Sequence, residues 1–373
     1  MVEAIIPAAG LSRRMGEFKP LLDLRGKIVL AWSVNLFRSA GIERIHVVTG
    51  HRSTAVAQKC VELGAEPVHN PDYQSGMFSS VRAGVQALSR DCLGFFVHPV
   101  DIPLVRPWSI ERMQSLFLEH QPPLVYPCFL GQRGHPPLLS AEIAGSVRAH
   151  EGSGGLRRVL SRFENEAVHA ELFDRNILLD MDTGQDRERL LRRAGRLERI
   201  DREEAEALLR HVAPISAEGR THGLAVAQTA EAIATALNAS GSALDVELTF
   251  AAGLVHDIAK GEPGHEQAGG AMLRAMGLAD VASIVAAHRD ISLAPDAPLT
   301  EREAVYLADK LVRGRKRISI EERFQEKIDL FAHDPEATAA IRRRLANALT
   351  IRSRVEERIG RPLKDVLPDL EDA

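Results

Sequence analysis

From Val2 to about Asp182, short apolar runs rich in Val, Ile and Phe alternate with longer stretches of helical period, and after Asp186 the strand signal stops. A strand buried on both faces reads as a continuous apolar run, and an amphipathic helix after each run carries the chain back to a parallel neighbour. Glu3–Pro7, Arg44–Thr49, Glu66–His69, Gly94–His98 and Leu124–Cys128 are therefore expected as strands, with helices such as Ala31–Ala40 and Ser79–Leu88 between them. The pattern predicts an α/β fold, a mainly parallel sheet with helices on both faces, whose ligands sit beyond the carboxyl ends of the strands.

The remainder reads differently. Residues 187–212 mix both charge signs without strand signals, as a solvated connecting helix does. From Thr221 onward, helical periods dominate: His222–Leu237, Leu244–Lys260, His265–Met276, Val281–His288, Glu301–Arg313 and Pro335–Ile359 are expected as helices of a bundle. A chain of 373 residues exceeds one hydrophobic core. The expected division is an α/β domain over 1–190, a charged helical linker over 191–215 and an all-α domain over 216–373.

Charge and cysteine usage narrow the partners. A net charge of −4 gives no general field for a polyanion, so nucleic acid is not the expected partner and any phosphate must be held by a local site. Cys60, Cys92 and Cys128 are odd in number and show no C-x-x-C spacing, which fits neither a disulfide framework nor a zinc knuckle and suits a reducing cytoplasm. The opening MVEAIIPAAG has no basic leader, and no segment approaches the ~20 apolar residues of a membrane span. A cytoplasmic protein without membrane contact is expected.

The densest motif is Pro7-Ala8-Ala9-Gly10-Leu11-Ser12-Arg13-Arg14-Met15-Gly16, followed by Lys19-Pro20-Leu21. It leaves the first strand as a small-residue, basic loop whose backbone N–H groups can surround phosphates. A Walker loop is excluded because Gly16 is followed by Glu17-Phe18-Lys19, not Lys then Ser or Thr. A dinucleotide fingerprint is excluded because the second strand ends Val48-Thr49-Gly50, without the acidic residue that would hold a ribose.

PAAGLSRRMG-x-x-KPLL resembles the opening signature of the molybdopterin nucleotidyltransferases. Further similar blocks follow in order: Asn70-Pro71, then Gly76 to Gly84, then His98-Pro99-Val100-Asp101-Ile102-Pro103, then Gly131-Gln132-Arg133-Gly134-His135-Pro136, and Asp180-Met181-Asp182-Thr183. The resemblance covers roughly the first half of the chain. It implies a Rossmann-like nucleotidyltransferase domain that transfers CMP from CTP, or GMP from GTP, to molybdopterin, with Mg²⁺ as cofactor and a molybdoenzyme as a candidate acceptor of the product.

Asp101, just past an apolar strand, is the expected principal Mg²⁺ ligand, although an Asp before Pro103 also suits a helix cap. Lys19, with Arg13 or Arg14, is expected to stabilise the triphosphate and the leaving pyrophosphate. Ala8, Ala9, Gly10, Arg14, Gly76, Ser79, Ser80 and Asp101 are the expected nucleotide contacts, and the serines also suit an N-cap. The resemblance implies Asp182 as a second metal carboxylate, with Asp180 competing, and His135 as a contact to the pterin or its phosphate. Ala9, where guanylyl members carry Gly, places a methyl at the base edge and favours CTP.

His222, His256-Asp257 and Asp309 lie on three expected helices, the pair directly after the apolar run Ala251–Val255. Metal-capable side chains on a buried helix rather than a solvated face suggest a site. The order H…HD…D resembles the HD phosphohydrolase superfamily over about Thr221 to Arg313. This implies one or two divalent ions, for which Mn or Fe suits the oxygen and nitrogen donors. Asp257 is the expected catalytic ligand, His265 and His288 are implied as additional ligands, and Lys260 faces an unknown phosphorylated substrate. Arg313-Gly314-Arg315-Lys316-Arg317 reads as a solvated turn or a local phosphate contact. Three functions fit: a bifunctional transferase and hydrolase; a transferase whose HD half senses a nucleotide or joins subunits; and a nucleotidyltransferase for a sugar or alcohol phosphate.

Overall fold

A computed structural model describes residues 1–370 other than 13, 14, 292, 293 and 295. The chain divides into two units, Met1–Leu197 and Glu198–Ala373. In the first, β1 (Val2–Pro7), β2 (Asp23–Leu24), β3 (Lys27–Ile28), α1 (Val29–Ser39), β4 (Ile45–Thr49), α2 (Ser53–Glu62), β5 (Glu66–His69), α3 (Met77–Ala87) and β6 (Gly94–Val97) come first. They are followed by α4 (Pro107–His120), β7 (Leu124–Phe129), β8 (Gln132–Arg133), β9 (Leu138–Ser140), α5 (Ile143–Ala149), α6 (Gly155–Leu160), β10 (Val168–Glu171) and α7 (Gly184–Ala194).

The five expected strands are present and belong to one eight-stranded sheet, ordered β10-β7-β9-β6-β1-β4-β5 with β8 on β7. β1, fully buried, runs parallel to β4 and to β6. β8 pairs antiparallel with β7, and β9 enters antiparallel between β6 and β7. At three residues it is too short to carry a period.

Helix α3 crosses β1 closely because Gly84 faces Ile5; a Cβ at Gly84 would lie 2.3 Å from Ile5 Cγ2 and 3.2 Å from Val48 Cγ2. The helix opens at Met77 with Gly76 as a cap that makes no side-chain hydrogen bond. Ser79 therefore sits inside the first turn, and the expected serine cap is not formed.

The second unit contains α8 (Arg202–Ala207), α9 (Ala217–Ala239), α10 (Val246–Val255), α11 (His265–Ala275), α12 (Ala279–Val285) and α13 (Glu301–Leu311). The hairpin β11 (Val312–Arg313) and β12 (Lys316–Arg317) follows, then α14 (Ile320–Leu330) and α15 (Pro335–Ile359). The stretch expected as a solvated linker divides instead between the units. α7 lies in the first, while α8 opens on a capping box between Asp201 and Glu204 and, with the helical turn after it, buries Ala205, Ala207, Leu208 and Leu209 in the second. Dense surrounding charge masks this short apolar face in the sequence.

α10 is buried from Leu248 to Val255, as a helix apolar on every side must be. It delivers His256 and Asp257 at its end. The basic run forms the β11–β12 hairpin, turned at Gly314 with φ +57°. Among the described residues no helix is long and apolar enough to cross a membrane. The three cysteines are free thiols.

Gly84→Ala is expected to lower unfolding free energy by roughly 1–3 kcal/mol through overpacking against Ile5. Gly145→Ala, on the exposed face of α5 with nothing near its Cβ position, should instead be neutral or stabilising by ~0.5–1 kcal/mol. Urea denaturation of both variants checks the pair.

Candidate active sites

The loop after β1 and the loop after β6 leave adjacent parallel strands at the same sheet end. Between them lies a cleft of about 380 Å³ lined by Ala8, Ala9, Gly10, Lys19, Gly76, Ser80 and Asp101, all expected contacts, together with Ser12, Tyr73, Gln74 and Met77. Arg13 and Arg14 lie outside the described residues. Ser12 has φ +49°, and its hydroxyl accepts a hydrogen bond from the Lys19 backbone N–H at 3.1 Å, closing the loop onto Lys19.

The Lys19 ammonium donates to Asp101 Oδ2 at 3.0 Å and to Asp182 Oδ1 at 2.6 Å. Burial opposes its charge, but hydrogen bonds and attraction from Asp182 and Asp101 outweigh that opposition and raise its pKa. Asp101 is therefore not a cap; α4 starts later, with Arg106 at its N-cap. Asp182, rather than Asp180, reaches Lys19 because a capping box pins the turn before α7. Thr183 Oγ1 accepts from Asp186 N, and Asp186 accepts from the backbone N–H groups of Thr183 and Asp182. Two carboxylates thus converge on one cationic centre, the donor arrangement a divalent ion requires.

The opposite wall is a loop tied down by Asn70, whose amide donates to Ser79 Oγ at 2.9 Å and Ser80 Oγ at 3.0 Å. The Ser79 hydroxyl donates to the carbonyls of Gly76 and Asp72, so Ser79 braces the loop and does not line the cleft as expected. Gly50 lets this loop approach the first: a Cβ there would lie 2.6 Å from Tyr73 and 2.8 Å from the Ala9 methyl. His135 lies outside the cleft lining and remains exposed. Packing around its ring lowers its pKa, opposed by the charges of Asp101 and Asp180.

In the second unit the candidate ligands gather from α9, α11 and α13 and from the turns that follow α10 and α12. His222, His256 and Asp257 bring ligand atoms within 4.8 Å of one another, and so do Asp257, His265 and His288. Asp257 is common to both groups. Its Oδ1 lies 3.5 Å from His265 Nε2 and 3.6 Å from His288 Nε2, while Oδ2 lies 3.6 Å from His256 Nε2. Asp309 Oδ1 completes the first group at 3.5 Å from His222 Nε2 and 3.8 Å from His256 Nε2.

Carbonyl groups fix the imidazoles. His256 Nδ1 donates to Gly253 O at 2.7 Å, His288 Nδ1 to Val285 O at 2.6 Å and His222 Nδ1 to Gly314 O at 3.3 Å. Each ring therefore presents an unprotonated Nε2 to the centre, the usual preparation of a metal-binding histidine. His256 Nε2 is buried without a hydrogen-bond partner, and burial lowers that group's pKa to about 4, leaving it neutral and available to a cation. Burial works to raise Asp257, but the adjacent His288 and His256 rings and the Lys260 ammonium hold it well below the ordinary carboxylate range.

Lys260 pairs with Asp257 Oδ2 at 2.7 Å while its side chain stays largely exposed. Two groups were not read from the sequence. Lys310 is buried and donates to Asp309 Oδ2 at 2.6 Å, and Arg323 on α14 reaches Asp309 Oδ1 at 3.2 Å. Lys310 directly follows a candidate ligand, which was a usable signal; Arg323 falls in the stretch between the expected helices Glu301–Arg313 and Pro335–Ile359, where no element was marked.

Residues 4–168 match the MobA-like NTP transferase domain, and residues 219–314 match the HD domain. The chain is 29% identical over 187 residues to the molybdenum cofactor cytidylyltransferase of Escherichia coli (strain K12), spanning 50% of this chain and 93% of that protein. It is 27% identical over 203 residues to the nicotine blue oxidoreductase of Paenarthrobacter nicotinovorans, spanning 51% and 96%. Among solved structures it is similar to Rv0371c from Mycobacterium tuberculosis H37Rv, at 22% identity and a TM-score of 0.45, covering 51% of this chain and 97% of that one.

Asp257→Asn is expected to abolish Mn²⁺ binding at both groups of the second unit, whereas His265→Ala should lose only one ion of two. Metal-to-protein ratios after gel filtration, measured by atomic emission, check this; equal loss in both variants would contradict a shared carboxylate.

Proposed function

We propose, for a chain that joins a MobA-like NTP transferase domain to an HD domain, that the first transfers CMP from CTP to molybdopterin and the second hydrolyses a phosphoester or phosphoanhydride. The observation that carries the first half is the Lys19 ammonium held between Asp101 and Asp182 at a cleft walled by the Ala8-Ala9-Gly10 backbone. Divalent ions, when bound, supply charge neutralisation at the transferred phosphorus in one half and a water of lowered pKa in the other.

In the front half, Asp101 and Asp182 hold Mg²⁺, and Lys19 binds the triphosphate and the pyrophosphate that leaves. The N–H groups of the small-residue loop orient the phosphates, Tyr73 offers a ring for the base, and His135 meets the acceptor. The terminal phosphate of the pterin attacks the α-phosphorus in line, and the bond to pyrophosphate breaks on the far side. CTP is favoured over GTP by the Ala9 methyl, which is buried against the face of Gly50 and cannot yield to a purine. Transfer is favoured over hydride chemistry by the end of β4, where Thr49-Gly50 offers no carboxylate for a nicotinamide ribose.

In the rear half, His222, His256, Asp257 and Asp309 hold one ion, and His265 and His288 share Asp257 for a second. The support is the orphaned His256 Nε2 and the carbonyl-fixed imidazoles.

Full-length protein assayed with each of the four NTPs and reduced molybdopterin is expected to prefer CTP. Asp101→Ala should lower transfer by at least ~100-fold, and Ala9→Gly should raise the GTP-to-CTP ratio of kcat/KM by about tenfold. Asp257→Ala should leave transfer intact and remove phosphatase turnover. Unchanged transfer in Asp101→Ala would overturn the front assignment, and turnover of a sugar phosphate with none of the pterin would move the acceptor to that class.

A further inference from the structure

Beside His222 lies a second cleft of about 350 Å³, walled by Lys260, Arg313, Arg323 and Lys327, with Glu218 as the only carboxylate on its lining among the described residues. Arg323 and Lys327 come from consecutive turns of one face of α14, which starts after the HD-matched stretch ends at residue 314. Three of these cations are engaged: Lys260 with Asp257, Arg313 with Glu326, and Arg323 with Asp309. The Lys327 ammonium makes no hydrogen bond or ion pair with any described residue. Desolvation and the neighbouring charges of Arg323 and Lys310 depress its pKa, so the crowding of cations is repulsive until an anion enters.

The rest of the lining limits what that anion carries. It includes no Phe, Tyr or Trp, and Val312 is its one apolar side chain. A nucleobase is ordinarily held on aromatic or apolar surface, as Tyr73 and Pro99 provide in the front cleft. We propose that the rear cleft takes a compact oligophosphate without a base, inorganic pyrophosphate being the type, and that α14 supplies the cations for the phosphoryl group distal to the His/Asp cluster. The assignment rests on the hydrolytic reading of that cluster.

Hydrolysis there adds one water across the P–O–P bridge. The water oxygen bonds to one phosphorus, the bridging oxygen leaves with the bonding pair on the other phosphate, and two orthophosphates result, with the released proton passing to solvent. Nucleotidyl transfer releases pyrophosphate, so the rear reaction would consume the second product of the front one and draw transfer forward.

Full-length protein carrying Lys19→Met, which disables the front cleft, is titrated calorimetrically in Mn²⁺ with methylenediphosphonate, methylphosphonate and cytidine 5′-diphosphate. The diphosphonate is expected to bind at least about tenfold more tightly than the monophosphonate, and Lys327→Gln combined with Arg313→Gln should shrink the preference to about threefold or less. Equal affinity for the two phosphonates, a preference that survives both substitutions, or cytidine 5′-diphosphate binding about tenfold more tightly than the diphosphonate overturns the assignment. Manganese content of the same samples separates the two readings. A preference kept by protein that holds no Mn²⁺, and lost in the double variant, leaves the cleft assigned and removes the hydrolase; Mn²⁺ held without a preference overturns the cleft alone.

Discussion

Carboxylates brought together in a poorly hydrated pocket repel one another unless a cation stands between them. Both sites of this chain are organised by that requirement. Asp101 and Asp182 come from loops far apart in sequence and can lie side by side because the Lys19 ammonium joins them. Asp257 and Asp309 are buried in a helical core, each with a lysine within 2.7 Å and imidazoles nearby.

Much of this was legible in the sequence because the signal was local. The strands β1, β4, β6 and β7 announce themselves by largely apolar runs, and Asp101 and His256-Asp257 stand just past such runs. What was not legible depended on tertiary contact. The choice of Asp182 over Asp180 is made by a capping box and by a lysine 163 positions away. Ser79 faces inward because Asn70 and the Asp72 and Gly76 carbonyls capture its hydroxyl, not because of anything in its own turn. α14 buries only Ile320 and Phe324, too few apolar positions to show a period, yet it carries Arg323 to Asp309.

The two clefts differ in composition as their chemistry demands. In front, Pro7, Tyr73, Pro99 and Val100 give the wall apolar surface, so a base can lie against it while the phosphates face Lys19. Behind, charged side chains dominate the lining. On the functions proposed, selectivity in the first would rest on shape at Ala9, and in the second on the number and spacing of negative charges.

The manner in which cations are held separates the sites further. The rear imidazoles are oriented by backbone carbonyls at Nδ1, so their Nε2 atoms keep the same direction whatever occupies the centre. Lys19 has no such tether beyond the two carboxylates themselves. Were Asp101 and Asp182 to hold a divalent ion, as proposed, the ammonium would give up both partners and be free to pair with the phosphates of a bound nucleotide. The rear imidazoles, by contrast, are oriented by the fold itself.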